Sequence, residues 1–522
     1  MILIKKTEEN KKLKIALSVS LFVVYSVLTL IGALNHENWF DECQAWTIAR
    51  DNDIKGIFDV LQCEGHPPLW YMILYVFSHL GFSCNVLSVI SWGLCCAAVA
   101  LILWKAPFNI FVKAAVIFSG GFLFSISVIS RVYAVIPLIL ALIAILYPKR
   151  NCHPVLFGLC VALLANTHIS MCGLVGILGI YMIVDLFKNF KTDSVKQRIG
   201  KLCGLAVSGI GVIFLVVPLI GSIASNPEVD GVSGSAAELF SRFGMGLVDA
   251  AVSIVRIRNG NALCSLIAAV ILIGTVTVLI LMRHYTRAVP ITLVFLAFHI
   301  YISVMLWTVH PTRTYICYYT IIFIYWAVKS EGKEKKCSYK KLEKLNIGLG
   351  RKIAEFAVSL DRRFDKAIAV IITVIMVFTM PTGFYWLFYD YTKPFTADVA
   401  IVQYIRDELP DDAVIVLNDP SCAQLSAYLP DTLFYSPHYA QFVTYNPHSI
   451  ELIDENIDKE KVYNDLKDYK HLYFYQFTNI YYYDDCAEFD NKLIVSSVNS
   501  QYYVMNKYSM LKELNLDEYR TP

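Results

Sequence analysis

The stretch IALSVSLFVVYSVLTLIGAL, residues 15–34, is an uninterrupted apolar run near the start of the chain. A helix of about 20 residues is about 30 Å long, which matches the hydrocarbon core of a bilayer. The run is too long for a signal-peptide core and lacks a small-residue cleavage site, so we expect a retained membrane anchor. Its basic flank predicts a cytoplasmic N-terminus. The flanking lysines are Lys5, Lys6, Lys11, Lys12 and Lys14.

The composition of the whole chain is unusually apolar. Of the 522 residues, 56% are hydrophobic and 17% are charged, whereas soluble globular proteins have about 45–50% and about 25%. This composition excludes a series of ordinary soluble domains, because so much apolar surface requires lipid as its solvent. The sequence therefore predicts a polytopic α-helical membrane protein.

The small net charge of +2 averages two regions of opposite charge. Residues 390–522 contain 22 acidic and 10 basic residues, whereas residues 1–389 contain 21 acidic and 35 basic ones. The basic residues are dispersed among loops between apolar runs, which is typical of residues that set membrane topology. We therefore expect no nucleic-acid partner, a transmembrane domain at 1–389 and a soluble domain at 390–522.

Two basic loops orient the apolar runs that follow the first. Lys188–Lys201 contains five basic residues and one acid, and Lys329–Lys366 contains 12 bases and 6 acids, so both loops are predicted to be cytoplasmic. Eleven spans satisfy this condition and leave residues 35–66 and 390–522 outside, provided that Pro67–Phe82 forms a membrane-associated helix that does not cross. The ten later runs are 84–104, 114–130, 131–148, 154–167, 169–187, 202–222, 263–282, 289–309, 314–329 and 367–389.

The C-terminal region alternates between helical and strand patterns, which predicts a small extracytoplasmic α/β domain. No glycine-rich phosphate loop follows a predicted strand, so a nucleotide site is not expected there. Tyrosines between 473 and 483 fit either a surface that stacks on sugars or one face of a half-buried sheet. We expect helices at 397–409, 422–429 and 450–469 and strands at 413–417, 472–477 and 493–498.

Fourteen cysteines are scattered without the Cys-x-x-Cys or Cys/His spacing of a metal site. Most lie in apolar runs, where a thiol acts as a small hydrophobic group. Cys43 with Cys63, or Cys422 with Cys486, can form disulfides if their segments face an oxidising compartment. The sequence leaves both pairings open.

The predicted topology collects polar groups on the external face of the membrane. Because the topology depends only on the basic segments, this convergence is an independent indication of a functional site. The groups are residues 35–66, Ser130–Tyr133, Asn166–His168, 221–262 and His310–Arg313.

The first external loop contains adjacent carboxylates, Asp41 and Glu42, about seven residues after the first span. Gln44–Arg50 has the spacing of an amphipathic helix lying on the membrane, which would hold an acid at headgroup level. Taken alone, an acidic pair in a loop is nonspecific, since solvation or helix capping explains it as well. The loop ends in Glu64-Gly65-His66-Pro67-Pro68-Leu69.

An Asp-Glu pair just after the first span, followed by His-Pro-Pro-Leu at the start of an apolar helix, resembles the GT-C glycosyltransferase superfamily. The pattern is most similar to the family 39 branch, which includes protein O-mannosyltransferases and aminoarabinose transferases. Ser130-Arg131 before a further span is similar to the Ser-Arg element of that branch. The resemblance covers residues 10–390.

The resemblance implies transfer of a sugar from a polyprenyl-phosphate donor to an extracytoplasmic acceptor. It implies that Asp41 is the catalytic base or orients the acceptor, because a carboxylate can take the proton of an attacking hydroxyl. Glu42 would orient the acceptor or support the loop. One base suffices for an inverting displacement, since the lipid phosphate leaves already charged.

A departing phosphate requires cationic or hydrogen-bonding partners. Arg131, Arg313, His168 and His66 are the external candidates, and arginine suits the task because its planar fork binds phosphate oxygens bidentately. The alternatives are that the arginines reach to lipid headgroups and that His168 is a structural histidine. Glu64 and Tyr133 are expected to contact substrate.

Several relatives carry an aspartate a few positions after the Ser-Arg element, but residues 132–138 contain no acid. We therefore expect no obligatory divalent metal, although Asp41, Glu42 and Glu64 together supply the oxygen ligands that such an ion prefers. The Gly- and Ser-rich segment 221–262 is either a cover over a bound lipid donor or an idle connection.

Two other functions are compatible with many spans. A secondary transporter is one, but such proteins usually show internal repeats and polar sites near the midplane, and neither is evident. A non-catalytic glycan-binding receptor is the other, and it leaves Asp41, Glu42 and His66 without a role. The sugar remains open, and so does the acceptor, whether lipid, protein or polysaccharide.

Overall fold

The computed structural model describes most of the chain. The described residues are 2–225, 235–256, 262–306, 310–333, 359, 361–392, 395, 398–417, 422–446, 457–479, 493–500 and 503–520. Most of the predicted loop Lys329–Lys366 and two parts of the Gly- and Ser-rich segment 221–262 lie outside these residues, and so does Cys486.

The described part of residues 2–392 contains fifteen α-helices. They are α1 Ile2–Asn35, α2 Phe40–Asp51, α3 Ile54–Glu64, α4 Leu69–His79, α5 Leu87–Lys105, α6 Ile110–Ile117, α7 Ile136–Leu146, α8 Pro154–Ala165, α9 Cys172–Lys188, α10 Val195–Ser225, α11 Ala236–Ser253, α12 Ala262–Leu281, α13 Ala288–Ile300, α14 Pro311–Glu331 and α15 Phe364–Thr392.

Each of the eleven predicted spans overlaps a helix, and seven described helical segments are long and apolar enough to cross a bilayer. Helices α4, α8 and the segment Ala288–Ser303 are apolar but shorter. The fold class predicted from composition is confirmed: the chain is a multi-pass helical membrane protein with a small sheet near its C-terminus.

Helix α4 has 11 residues, so it is about 16 Å long and spans only half of a hydrocarbon core. It packs against α2. The sequence predicted that Gln44–Arg50 forms an amphipathic helix lying on the membrane. The helix is present, but it does not have one buried and one exposed face. Nearly all of α2 is buried, including Trp46 and Ile48, because α4 covers one side of it and a helix of the C-terminal region covers another.

The predicted span 114–130 is not one continuous helix. Helix α6 ends at Ile117, and a π-helical turn, Gly121–Ser125, follows it. Gly120 and Gly121 lie against the rings of Tyr315 and Tyr319, which leave no room for a side chain at either position. The Tyr319 hydroxyl accepts a hydrogen bond from the Phe122 amide at 3.1 Å. This bond connects the irregular backbone to α14.

The C-terminal region contains a six-stranded mixed sheet with the order β3-β2-β1-β4-β6-β5. Strand β1 pairs in parallel with β2 and β4, and the other pairs are antiparallel. The strands are β1 Val414–Leu417, β2 Leu433–Ser436, β3 Gln441–Phe442, β4 Leu472–Asn479, β5 Leu493–Ser500 and β6 Tyr503–Glu513, and the helices are α16 Asp398–Glu408, α17 Ala423–Tyr428 and α18 Lys459–Leu466.

The three predicted strands correspond to β1, β4 and β5, and the predicted helices contain α16, α17 and α18. Strands β2, β3 and β6 were not predicted. Strand β6 mixes polar and apolar residues, and it is placed between β4 and β5 by backbone pairing along its whole length.

Helices α8 and α10 approach each other through glycines. Gly204 of α10 lies against the Pro154 carbonyl oxygen, and Gly158 of α8 lies against the Gly204 carbonyl oxygen. A methyl group at position 204 overlaps the facing backbone, which cannot move independently of its helix. Gly209, on the same helix, has nothing within 4 Å of where its Cβ would lie.

We expect Gly204→Ala to lower the unfolding free energy by about 1–3 kcal/mol, as overpacking does elsewhere. Gly209→Ala is the matched control, and it should leave stability unchanged or raise it slightly, because alanine favours a helix over glycine. Thermal unfolding of the detergent-purified proteins measures both. Equal melting temperatures for the two variants would contradict the close helix contact.

Candidate functional site

The first carboxylate of the external loop forms an ion pair with the predicted Ser-Arg element. Asp41 lies in the first turn of α2, and Arg131 directly precedes the 3₁₀ turn Val132–Val135. Arg131 Nη1 is 2.8 Å from Asp41 Oδ2, and the two side chains are 19% and 31% exposed. The pair is therefore accessible, and Asp41 is not a solvated loop charge.

Tyr133 connects this pair to residues from two distant helices. Its hydroxyl is 3.2 Å from Nε2 of His168. The same hydroxyl accepts a hydrogen bond from Nε–H of Arg313 at 3.2 Å. The Arg131 guanidinium lies over the Tyr133 ring at 5.7 Å from its centroid and over the Trp39 ring at 5.9 Å. Five side chains separated by up to 272 positions thus form one cluster.

His168 lies at the start of the 3₁₀ turn Ile169–Met171, where its Nδ1 accepts the backbone amide of Ser170. The side chain is buried. Burial, together with the nearby charges of Arg313 and His66, lowers the pKa of His168 well below its ordinary value. His168 is therefore a neutral member of the cluster at physiological pH, and His66 lies close to it.

Glu64 ends α3, and Gly65 follows it in the left-handed conformation, with φ of 66°. The Glu64 carboxylate accepts a hydrogen bond from Gln44 Nε2 at 2.8 Å. Burial raises the pKa of the Tyr71 hydroxyl well above its ordinary value. Of the charges near this hydroxyl, those of Glu64 and Asp41 raise the pKa further and that of Arg131 lowers it. Glu64 therefore lies at the edge of the cluster.

Glu42 is buried and does not face the accessible cluster. Its side chain is 0% exposed, and its oxygens accept the backbone amides of Trp39 at 3.0 Å and of Ser130. Its Oε2 is also 3.0 Å from His36 Nε2. Of the two roles that the sequence left for Glu42, this geometry is that of loop support.

His36 bridges two carboxylates inside the protein. Its Nδ1 is 3.1 Å from both oxygens of Asp390, at the end of α15, while its Nε2 contacts Glu42. Burial lowers the pKa of His36, but the two carboxylates outweigh that effect and raise it to about 10. His36 is therefore a cation that joins the ends of α1, α2 and α15.

His36 and Asp390 were not singled out in the sequence. The signal available was their position, since each is an ionisable residue at the end of an apolar run, where such groups are usually paired. Nothing in the sequence indicates that residues 354 positions apart are partners.

The C-terminal region binds the helix that carries Asp41. Gln44 exchanges hydrogen bonds with the backbone of Asn446 at 2.8 and 2.9 Å. Arg50 donates to the carbonyl and hydroxyl of Ser426 at 2.8 and 3.0 Å. The Tyr428 hydroxyl accepts the amide of residue 38 at 2.9 Å. The sheet region thereby fixes both ends of α2.

Cys43 donates its thiol to the carbonyl of Asn38 at 3.7 Å, and Cys63 is also a thiol. The structure therefore contains no bond between these two residues. Cys422 is a buried thiol, and its candidate partner, Cys486, lies outside the described residues.

A second polar cluster lies at the opposite ends of the same helices. Arg150 and Arg287 both bind Asp185, each at 2.7 Å, and Arg150 also binds Glu331 at 3.0 Å. Helix α14 begins near Arg313 and ends at Glu331, about 27 Å away at 1.5 Å per residue. The loop Lys188–Lys201 and the described start of the loop Lys329–Lys366 are therefore on the opposite side of the bundle from the accessible cluster.

An apolar cavity of about 190 Å³ lies among α11, α12, α13 and α14. Its lining includes Leu247, Leu272 and Val276, and polar residues, among them His299, Ser303, His310 and Arg313, also line it. Arg313 belongs both to this cavity and to the cluster around Tyr133. A ligand with an apolar tail and an anionic head matches such a lining.

Among the described residues, no group of three His, Cys, Asp or Glu side chains is placed to hold one metal ion. Asp41 contacts Arg131, Glu42 contacts His36, and Glu64 contacts Gln44. The three acids that the sequence offered as an oxygen-rich site thus have separate partners.

His36→Gln should destabilise the protein by about 3–5 kcal/mol, because it leaves two buried carboxylates without their cation. The unfolded histidine has a pKa near 6.5, below the folded value of about 10. The stabilisation by His36 is therefore complete below about pH 6.5 and disappears as the pH rises towards 10. Melting temperatures between pH 6 and 10 measure this dependence.

The variant should lose the part of the pH dependence that His36 supplies. His153→Gln is the control, because His153 is exposed and its replacement should leave the profile intact. A parallel pH profile for wild type and His36→Gln would show that His36 is not the buried cation.

No protein-family model matches the sequence, and no curated protein matches it. Among solved structures, the chain is similar to the crystal structure of ArnT from Cupriavidus metallidurans in the apo state. The two share 11% sequence identity and a TM-score of 0.48, and the similarity covers 94% of this chain and 97% of that chain. At this identity the similarity concerns the fold alone.

Proposed function

We propose that the chain is a membrane glycosyltransferase that moves a sugar from a polyprenyl-phosphate donor to an extracytoplasmic acceptor. The observation that carries this proposal is the connection from Asp41 through Arg131 and Tyr133 to Arg313, which lines the apolar cavity. This arrangement supplies a base, two guanidinium groups and a space for a lipid chain within one continuous site.

The ion pair between Asp41 and Arg131 suits the binding of an anionic donor. The Asp41 carboxylate binds the Arg131 guanidinium at 2.8 Å. A phosphate group can bind the same two nitrogens of a guanidinium in the same way. The donor phosphate replaces Asp41 on Arg131. Asp41 is then released to accept a proton from the acceptor.

The reaction requires one base. The acceptor oxygen attacks the anomeric carbon, the bond from that carbon to the phosphate oxygen breaks, and the acceptor proton passes to Asp41. The lipid phosphate leaves with the electron pair of the broken bond, and Arg131 and Arg313 stabilise its charge. His168 is neutral and contributes hydrogen bonding, while His66 and Glu64 complete the edge of the site.

The apolar cavity is proposed to hold the part of the polyprenyl chain next to the phosphate. Most of its lining residues from α11, α12 and α13 are apolar, and Arg313 at its polar end places a charge where the polyprenyl chain meets its headgroup. The middle of the Gly- and Ser-rich segment forms α11, whose Leu247 lines this cavity. This supports a role for that segment in donor binding.

The proposed orientation places the N-terminus and the basic loops in the cytoplasm and residues 390–522 outside. The separation of the two polar clusters along α14 supports it, because the basic loops and the site lie at opposite ends. No obligatory metal is proposed. The acceptor is a lipid, a protein or a cell-surface polysaccharide.

Asp41→Asn should lower transfer by about 10²- to 10⁴-fold, the usual contribution of a general base. The measurement uses purified protein in liposomes with a radiolabelled polyprenyl-phosphate sugar and an envelope extract as acceptor. Asp59→Asn is the matched control, because Asp59 is an exposed carboxylate in the same external loop.

Unchanged turnover in Asp41→Asn, with Arg131 still in place, would remove Asp41 from the mechanism. An inactive wild type that exchanges solute across proteoliposomes would instead indicate a transporter.

Leu247→Trp should raise the KM for a long-chain donor several-fold with little change in kcat, since the indole ring takes up part of the cavity. Val248→Trp is the control on the same helix, because Val248 is 47% exposed and is not among the residues that line the cavity. Kinetics with donors of short and long chains measure the effect. An equal KM in both variants would show that the polyprenyl chain of the donor binds outside this cavity.

A further inference from the structure

The protonation state of His168 follows from its contacts. The backbone N–H of Ser170 points at Nδ1 of His168 over 3.2 Å, and the Ser170 hydroxyl, which can donate to the same nitrogen, lies 2.8 Å from it. An amide nitrogen donates and does not accept, so Nδ1 must be the ring nitrogen without a hydrogen. The remaining hydrogen of the neutral ring is therefore on Nε2, the atom that faces Tyr133 at 3.2 Å.

The hydroxyl oxygen of Tyr133 consequently accepts two hydrogen bonds. One comes from Nε2–H of His168, and the other comes from Nε–H of Arg313 at 3.2 Å. A phenol oxygen has two acceptor positions and one hydrogen. Both acceptor positions are filled, so the hydroxyl hydrogen points towards a third partner.

A bound ligand can supply that acceptor. Tyr133 is 2% exposed, and a buried tyrosine hydroxyl normally has an acceptor. Within the described part of the chain, the polar contacts of its oxygen are these two donors. The Arg131 guanidinium over the ring and the Arg313 guanidinium beside the hydroxyl favour an anion at this position.

We propose that Tyr133 donates its hydroxyl hydrogen to the phosphate of the lipid-linked donor. This inference rests on the proposed function and specifies which atom of the site contacts the leaving group. His168 is then a positioning residue, because it occupies an acceptor position of Tyr133 and thereby directs the hydrogen to the phosphate.

The test is binding of farnesyl phosphate and of farnesol to the detergent-purified full chain by titration calorimetry. Wild type should bind farnesyl phosphate more tightly than farnesol. Tyr133→Phe should weaken farnesyl phosphate binding by roughly 10- to 100-fold, as expected for one hydrogen bond to an anion, and should leave farnesol binding unchanged. Inorganic phosphate should bind more weakly than farnesyl phosphate, since it lacks the chain.

Tyr319→Phe is the matched control. Tyr319 is a buried tyrosine on α14 whose hydroxyl contacts Ser119 and the Phe122 amide, away from the cluster. Its replacement should lower the melting temperature without changing the preference for farnesyl phosphate over farnesol.

The outcomes separate the two proposals. Equal affinity of wild type for farnesyl phosphate and farnesol, or for farnesyl phosphate and inorganic phosphate, would overturn the proposed donor site. A wild type that prefers farnesyl phosphate, with the same preference in Tyr133→Phe, would overturn the role of Tyr133 alone. Equal weakening of both farnesyl probes in the variant would show a structural role and would also overturn it.

Discussion

A buried carboxylate organises the outer end of this protein. Glu42 accepts the amides of Trp39 and Ser130 and contacts the imidazole of His36. Taking a carboxylate out of water is costly unless donors surround it, so the segments that supply those donors are held together. They are the end of α1, the start of α2 and the turn before Arg131. Asp41, the neighbour of Glu42, is thereby placed beside Arg131.

The accessible cluster and the buried triad divide the charged residues between two tasks. Glu42, His36 and Asp390 compensate one another away from solvent and fix the geometry. Asp41 and Arg131 remain partly exposed and form a pair that an anion can open. Stability and the proposed chemistry therefore depend on different carboxylates, although Glu42 and Asp41 are adjacent in the sequence.

The grouping of Asp41, Arg131, His168 and Arg313 could be predicted from the sequence, because charged residues at the ends of apolar runs are confined to one membrane face once the topology is known. The burial of α2 could not, since its covering surfaces come from α4 and from α17, nearly 380 positions further along the chain. Strand β6 was missed for a similar reason: its pairing with β4 and β5 overrides its mixed composition.

The sequence by itself determined that this is a multi-span membrane protein with a small C-terminal sheet, because apolar runs of bilayer length and buried strands are local properties of composition and periodicity. Only the tertiary structure decided which acid is buried and which is accessible, and that His36 joins Glu42 to Asp390. It also decided that the Tyr133 hydroxyl lies between His168 and Arg313. These outcomes depend on contacts between residues far apart in the chain, for which periodicity carries no information.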